Sequence, residues 1–310
     1  MESNTQQLDQ DQFFDQREKP RYIVGDDDIS SRSGNYLITV GNPSAGKSTL
    51  QNALIYRLWT DKRIDCEYSN LTDDPDHDAI LHSWVSNFAN GHLPPRSLKG
   101  ILQEFSVRIG QKGRPPLGLN FLEISGEDIK SILPTEGAND APSLNPQLER
   151  YLRVDQINKR FLFLSDASLN RNNKEDRGHY REDILFNTLI RYLLSAKGVG
   201  LDRVSILFVA AKWDVVSSEY SSISEYVNKN FPQTRALISN TDKIHAQYIP
   251  FSIGEIISSK DTGDQTIMSL QSKYIDFLIQ WIYQGFQGQT LNGYPKLELT
   301  WWDKFKALFR

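Results

Sequence analysis

An α/β fold of three layers, with a mostly parallel central sheet and one antiparallel hairpin strand, is what this sequence predicts. Three observations carry the expectation. Short apolar runs recur at 36–40, 101–109, 117–124, 161–164, 204–210 and 248–251, each of a length that suits a buried strand. Stretches with helical spacing separate most of them, which is the alternation of a crossover-linked parallel sheet. The runs at 101–109 and 117–124 are joined only by Gly110-Gln111-Lys112-Gly113-Arg114-Pro115-Pro116, too short for a crossover helix, so this pair should run antiparallel.

Taken in order, residues 1–33 are rich in Gln, Asp and Ser and include the acidic run Asp26-Asp27-Asp28. That composition buries little apolar surface and reads as a polar extension. The domain proper is expected over 34–286. It opens with the strand Tyr36-Leu37-Ile38-Thr39-Val40, bounded by Gly34 and Gly41, and continues through a glycine-rich turn into a helix over 48–58. Further on, Ile184, Leu185, Leu189, Tyr192 and Leu193 share one helical face. So do Ile267, Leu270, Tyr274, Phe277, Leu278, Trp281 and Ile282, and both faces should pack on the sheet. Residues 287–310 read as a tail that ends in a short amphipathic aromatic helix, with Trp301, Trp302, Phe305, Leu308 and Phe309 on one side. Its own domain, a protein partner or, least expected, a membrane surface would meet that side.

Composition excludes some functions. Across 310 residues, 35 basic side chains face 39 acidic ones for a net charge of −4, so no overall field would hold a nucleic-acid backbone. The single cysteine, Cys66, has no disulfide partner and no zinc-binding neighbour in sequence, which fits a reducing compartment. His77, His82, His92, His179 and His245 include no i, i+4 metal pair. The polar N-terminus lacks a secretory apolar stretch, and no segment is long and apolar enough to span a bilayer. A cytoplasmic location is expected.

Chemistry enters at Gly41-Asn42-Pro43-Ser44-Ala45-Gly46-Lys47-Ser48, which fits G-x-x-x-x-G-K-[ST] between an expected strand and an expected helix. Glycines there allow a backbone path whose N–H groups point at phosphate oxygens, and the helix adds the positive end of its dipole. Asn42, Pro43, Ser44, Ala45, Gly46, Lys47, Ser48 and Thr49 would line the phosphates. Lys47 would reach the β- and γ-phosphates, and the Ser48 hydroxyl would ligate Mg²⁺. ATP and GTP are not told apart by this motif.

Ala211-Lys212-Trp213-Asp214 follows the run at 204–210, at the carboxyl end of an expected strand, where ligands bind in open α/β sheets. It resembles the [NT]-K-x-D guanine motif, with Ala211 in place of Asn or Thr. The Asp214 carboxylate can accept from the ring N–H and exocyclic amine of guanine, whereas adenine would leave it unpaired. The Lys212 stem would cover the base plane. Phe121-Leu122-Glu123-Ile124-Ser125-Gly126 looks like D-x-x-G with Glu123 for Asp, so Glu123 would hold a Mg²⁺-bound water and the Gly126 N–H would approach the γ-phosphate. Glu127 follows where relatives carry a water-orienting Gln; it either orients water or is a solvated helix start. Ser97, ahead of the first hairpin strand, is the candidate switch hydroxyl for Mg²⁺ and the γ-phosphate, and Arg96 a candidate for stabilising transition-state charge. Each has an ordinary capping or solvated alternative. Phe251-Ser252-Ile253-Gly254 looks like the loop whose backbone reads guanine O6, which brings Ser252 and Ile253 to the base.

The order of these motifs, over roughly residues 34–285, resembles a Ras-like domain of the TRAFAC class of P-loop GTPases. GNPSAGKST, FLEISGE and AKWD, with a long segment before the switch hydroxyl, are similar to the bacterial double-GTPase-like proteins of conflict and defence clusters. The resemblance implies GTP and Mg²⁺ as ligands, Lys47, Ser97, Gly126 and Glu127 in catalysis, and Ser48, Ser97 and Glu123 at the metal. It also implies a switch that hydrolyses slowly until it meets a protein partner or a second copy. The departures at Glu123 and Glu127 keep open a subunit that holds GTP without turnover. An ATP-dependent kinase would call for an arginine-rich lid, which the sequence lacks.

Overall fold

The computed structural model describes residues 26–68, 75–94, 102–133, 143–169, 178–258 and 265–296. In chain order the elements are β1 (Gly34–Gly41), α1 (Lys47–Thr60), β2 (Asp65–Tyr68), α2 (Pro75–Ala89), β3 (Gln103–Gln111), β4 (Arg114–Glu123), α3 (Gly126–Lys130), α4 (Pro146–Arg153) and β5 (Ile157–Asp166). There follow α5 (Gly178–Leu194), β6 (Val204–Ala211), α6 (Trp213–Val216), α7 (Ile223–Asn230), α8 (Pro232–Ser239), β7 (Ile244–Pro250), β8 (Gly254–Ser258), β9 (Gln265–Leu270) and α9 (Ser272–Gln287). Seven strands form one sheet in the order β2-β3-β4-β1-β5-β6-β7. β1 runs parallel to β4 and β5, and β5, β6 and β7 are parallel in turn. Both pairings of β3 are antiparallel, which makes it the one reversed strand, as the short connection at 110–116 requires.

Continuous apolar runs mark strands covered on both faces. On one side Leu37, Val107, Phe121, Leu162, Leu164, Leu207 and Val209 meet α1, α2 and α9. On the other, Tyr36, Ile38, Phe161, Phe163, Ile206 and Phe208 meet α4, α5, α7 and α8. Neighbouring residues of one strand thus feed opposite cores, the period of two that a pleated backbone imposes.

Three expectations change. Ile267 and Leu270 belong to strand β9, not to the last helix, which begins at Ser272. Both still pack toward the core of α1 and α9, so their apolar character is explained by a different element. At the start, a 3-10 helix at Asp26–Ser31 precedes the boundary placed at residue 34. Ile29 is 1% exposed in the core, and the Arg32 guanidinium makes a close charge contact, 3.2 Å, with Glu104 on β3. Glu104 also accepts from the hydroxyls of Tyr36 and Tyr151. At the end, Leu291 and Tyr294 are buried, so the tail joins the domain at least that far. There the Tyr294 hydroxyl donates to Asp61 at 2.7 Å. The aromatic stretch 301–310 and residues 1–25 lie outside the described residues.

Outside the main sheet, β8 and β9 form an antiparallel ribbon directly after the Ser252-Ile253 turn. It is tied at both ends. The Gln271 N–H donates to Ile253 O at 3.0 Å, and the Ile267 N–H to Gly91 O at 2.9 Å, just after α2. His92 adds a bridge to Thr266.

Candidate functional site

Strand register assembles the site. β1 ends at Gly41, level with Leu164 on β5; Asp166 on β5 is level with Ala211 on β6; Ala210 is level with Pro250 on β7. Thr39 on β1 faces Glu123 on β4. The carboxyl ends of five strands therefore open onto one edge, where open α/β sheets bind ligands.

The loop from Gly41 to Lys47 needs two left-handed residues. Ser44 has φ 64° and Gly46 φ 93°, and the second is the reason only glycine suits position 46. This turn starts α1 with no side-chain cap at its N-terminus, so the first N–H groups of a 14-residue helix stay directed at the loop. Lys47 is 6% exposed and donates to the carbonyls of Gly41 and Asn42 at 3.0 and 3.1 Å. Burial pushes its ammonium down to about 8, while the charges of Glu123 and Glu182 partly hold it up. A lysine kept this dry is poised for an anion that would favour its charged form.

The Ser48 hydroxyl donates to Glu123 Oε1. Two hard oxygen groups thus converge beside the helix N-terminus, the donor set that suits Mg²⁺, and the residues fit the ion that the sequence resemblance implies. Among the described residues no cluster of three His, Cys, Asp or Glu could hold a metal by itself, so these two oxygens would act together with a ligand's phosphates. Three residues on, Gly126 is pressed against the loop. A Cβ there would stand 2.3 Å from the Pro43 nitrogen and 2.6 Å from the Asn42 carbonyl carbon. Ser125 caps the short α3 by accepting from the Glu127 N–H at 3.1 Å. The Glu127 side chain is exposed, whereas its neighbour Asp128 is 6% exposed.

Across the sheet edge, Lys212 takes a left-handed conformation, φ 57°, and starts α6. For a residue with a side chain this backbone is strained, a feature that collects at functional sites. The Trp213 N–H donates to Phe251 O and the Phe251 N–H to Ala210 O, which locks the Ala211–Asp214 turn to the Phe251–Gly254 turn. Asp214 is exposed and Ser252 buried; the Ser252 hydroxyl accepts from the Gly254 N–H at 3.4 Å. Ile253 is 8% exposed.

The structure thus brings together Lys47, Ser48, Glu123 and Gly126 at one end of the edge. Lys212, Asp214, Ser252 and Ile253 meet at the other. Ser97 and Arg96 lie outside the described residues. Two acidic residues beside the site escaped the sequence reading. Asp166 ends β5 and accepts from the Ser168 N–H, the Ser168 hydroxyl and the Lys212 ammonium. Glu182 on α5 is fully buried, with the Ser165 hydroxyl donating to it at 2.7 Å. For Asp166 the signal was the polar break Ser165-Asp166 closing the run at 161–164, at the ligand-binding end of a buried strand; Glu182 had none of its own.

The sequence model of the family described as Double-GTPase 1 matches residues 38–280. No curated protein sequence matches the chain. Among solved structures, one similar chain is in the signal recognition particle receptor SRb-GTP/SRX complex from Chaetomium thermophilum. It is 14% identical over 72% of this chain and 93% of that one, with a TM-score of 0.40. Another is the GTPase-like domain of S. cerevisiae Ski7, bound to GDP and inorganic phosphate. It is 17% identical over 72% of this chain and 44% of that one, at a TM-score of 0.35.

Proposed function

Because this chain belongs to the Double-GTPase 1 family, with a GTP-binding domain over most of its length, we propose that it is a GTP-hydrolysing switch acting through a protein partner or a second copy, in the cytoplasm and in a bacterial conflict or defence setting. The observation that carries the reading is the convergence of buried Lys47, the Ser48–Glu123 pair and Gly126 around one helix N-terminus, with Asp214 exposed on the same sheet edge. Among the described residues no helix is long and apolar enough to cross a membrane.

The chain's groups divide the work. Loop N–H groups and Lys47 would neutralise the β- and γ-phosphates, and Asp214 would pair with the guanine edge. Ser48 and Glu123 would hold Mg²⁺, which when bound supplies charge neutralisation at the transferring phosphoryl group. Glu127 would orient the attacking water, with a positive charge from Arg96 or from the partner.

Parallel titrations of GTP and ATP with Mg²⁺, on the wild type and Lys47→Ala, test the site. A GTP preference, with affinity lost by roughly 10- to 100-fold in the variant, is expected from a charge-assisted contact of ~1.5–3 kcal/mol. ATP preference, or no binding, would overturn the reading. A second reading, GTP held without turnover, is favoured by Glu127, whose exposed carboxylate starts α3 where an amide would orient water. Single-turnover assays separate the two: GDP appearing over hours supports hydrolysis, and intact GTP supports the holding subunit.

A further inference from the structure

We infer that Asp166 is a positioning residue for base recognition: it holds Lys212 from β5, level with Ala211, whose methyl group can hold nothing. This rests on the GTP-binding reading above and names a residue that sets its specificity.

The placement is specific. Asp166 is level with Ala211 across the β5–β6 pair and is 7% exposed. One carboxylate oxygen accepts from the Ser168 N–H at 2.9 Å and the Ser168 hydroxyl at 2.6 Å, which fixes the carboxylate plane as an Asx turn does. The other accepts from the Lys212 ammonium. Immediately after Asp166, the Ala167 N–H donates to Ala211 O at 2.9 Å, so main chain and side chain join the same two turns. Ala211 offers only a methyl group at this point. Without Asp166, the Lys212 side chain, 45% exposed, would have solvent as its competitor and a strained backbone to relax.

Two effects follow from the pair. Holding the ammonium at the end of β5, the strand between β6 and β1, directs the four-carbon stem from β6 toward the β1 side of the sheet edge, where it can cover a purine face. Compensating the charge leaves the stem, rather than a cation, as the surface offered to the base. The link also reaches the phosphate end, because Leu164, two residues before Asp166, is level with Gly41. An ordinary exposed ion pair would contribute little to anything; a positioning pair should change affinity for the base and spare the phosphates.

The experiment compares GTP, ATP and tripolyphosphate binding, with Mg²⁺, by the full chain and its Asp166→Asn, Lys212→Met and double variants. Lys212→Met keeps an apolar stem and removes only the ammonium, at an exposed position. Each single variant should bind GTP about tenfold more weakly, a loss the size of one charge-assisted hydrogen bond. Tripolyphosphate affinity should stay as in the wild type. The double variant should be no weaker than the weaker single, since both remove one interaction. Should Asp166→Asn fail to fold, Asp166→Glu, which keeps a carboxylate within reach of Lys212, takes its place and should retain more than half of the GTP affinity lost by Lys212→Met. Wild-type GTP preference with unaltered binding by Lys212→Met overturns this inference alone, as does equal loss of GTP and tripolyphosphate. Absence of GTP preference in the wild type overturns the functional reading and this inference together.

Discussion

Burial of Lys47 has a consequence that pH makes visible. Its folded pKa is lowered to about 8 from 10.5, burial being the main cause, so between those values the unfolded chain binds more protons than the folded one. Stability from this group therefore rises with pH across the window from about 8 to 10.5 and is constant below it. A triphosphate would raise the pKa again, so binding should take up a proton above pH 8, and affinity should fall as pH climbs beyond it. Calorimetry in buffers of different ionisation enthalpy measures that uptake; Lys47→Met should abolish it. At Gly126, a methyl group would meet loop backbone at 2.3 Å, so Gly126→Ala should cost ~1–3 kcal/mol of overpacking, read by chemical denaturation. Asp214→Asn should move base preference from guanine to xanthine, measured by competition. Lys47, Gly126 and Asp214 were legible in the sequence because motif spacing specifies them. Asp166 was not, since its role exists only once β5 and β6 lie side by side.

Elements were legible where one period dominated. The central strands β1, β5 and β6 are buried on both faces and announced themselves as apolar runs, and α5 showed a clean helical stripe, whereas β2, with no buried residue, gave no such run. β9 was misread because Ile267 and Leu270, three residues apart, satisfy a helical spacing as well as a strand's packing needs. What decided the matter is tertiary: the Ile267 N–H donates to the Gly91 carbonyl and β8 pairs along β9, and only an extended chain can meet both partners. The 3-10 helix at Asp26–Ser31 was hidden for a related reason: its sequence is mostly polar, and the features that tie it down are Ile29 in the core and, just after it, Arg32 beside Glu104. Arg32→Ala should leave the buried Glu104 without the guanidinium beside it, the hydroxyls of Tyr36 and Tyr151 still donating to it, and destabilise the chain by about 3 kcal/mol in denaturant unfolding. Were the segment a mere extension, the loss would be close to zero.

On the scale of the molecule, the parallel strands bring the motifs to the carboxyl edge of one sheet, and that placement was expected from the position of each motif directly after an apolar run. Closure of the chain was not. Asp61 at the end of α1 accepts from Arg63 and Tyr294, and Asp276 on α9 accepts from Arg57 and Arg63, a network drawn from three stretches of sequence. Burial pushes the Asp61 carboxyl up, but the hydrogen bonds from Arg63 and Tyr294 outweigh it and hold it below the usual carboxylate range. Its contribution is present above pH ~4 and lost as pH falls below it, so thermal melts should drop more steeply on acidification than those of Asp61→Asn. The β8–β9 ribbon, fastened to Ile253 at one end and Gly91 at the other, has a further consequence in the time domain. The Gln271 and Ile267 amides cannot be released one at a time without tearing the piece that holds both, so they should exchange with solvent deuterium at a single shared opening rate. The base-reading turn and the end of α2 would then breathe as one unit.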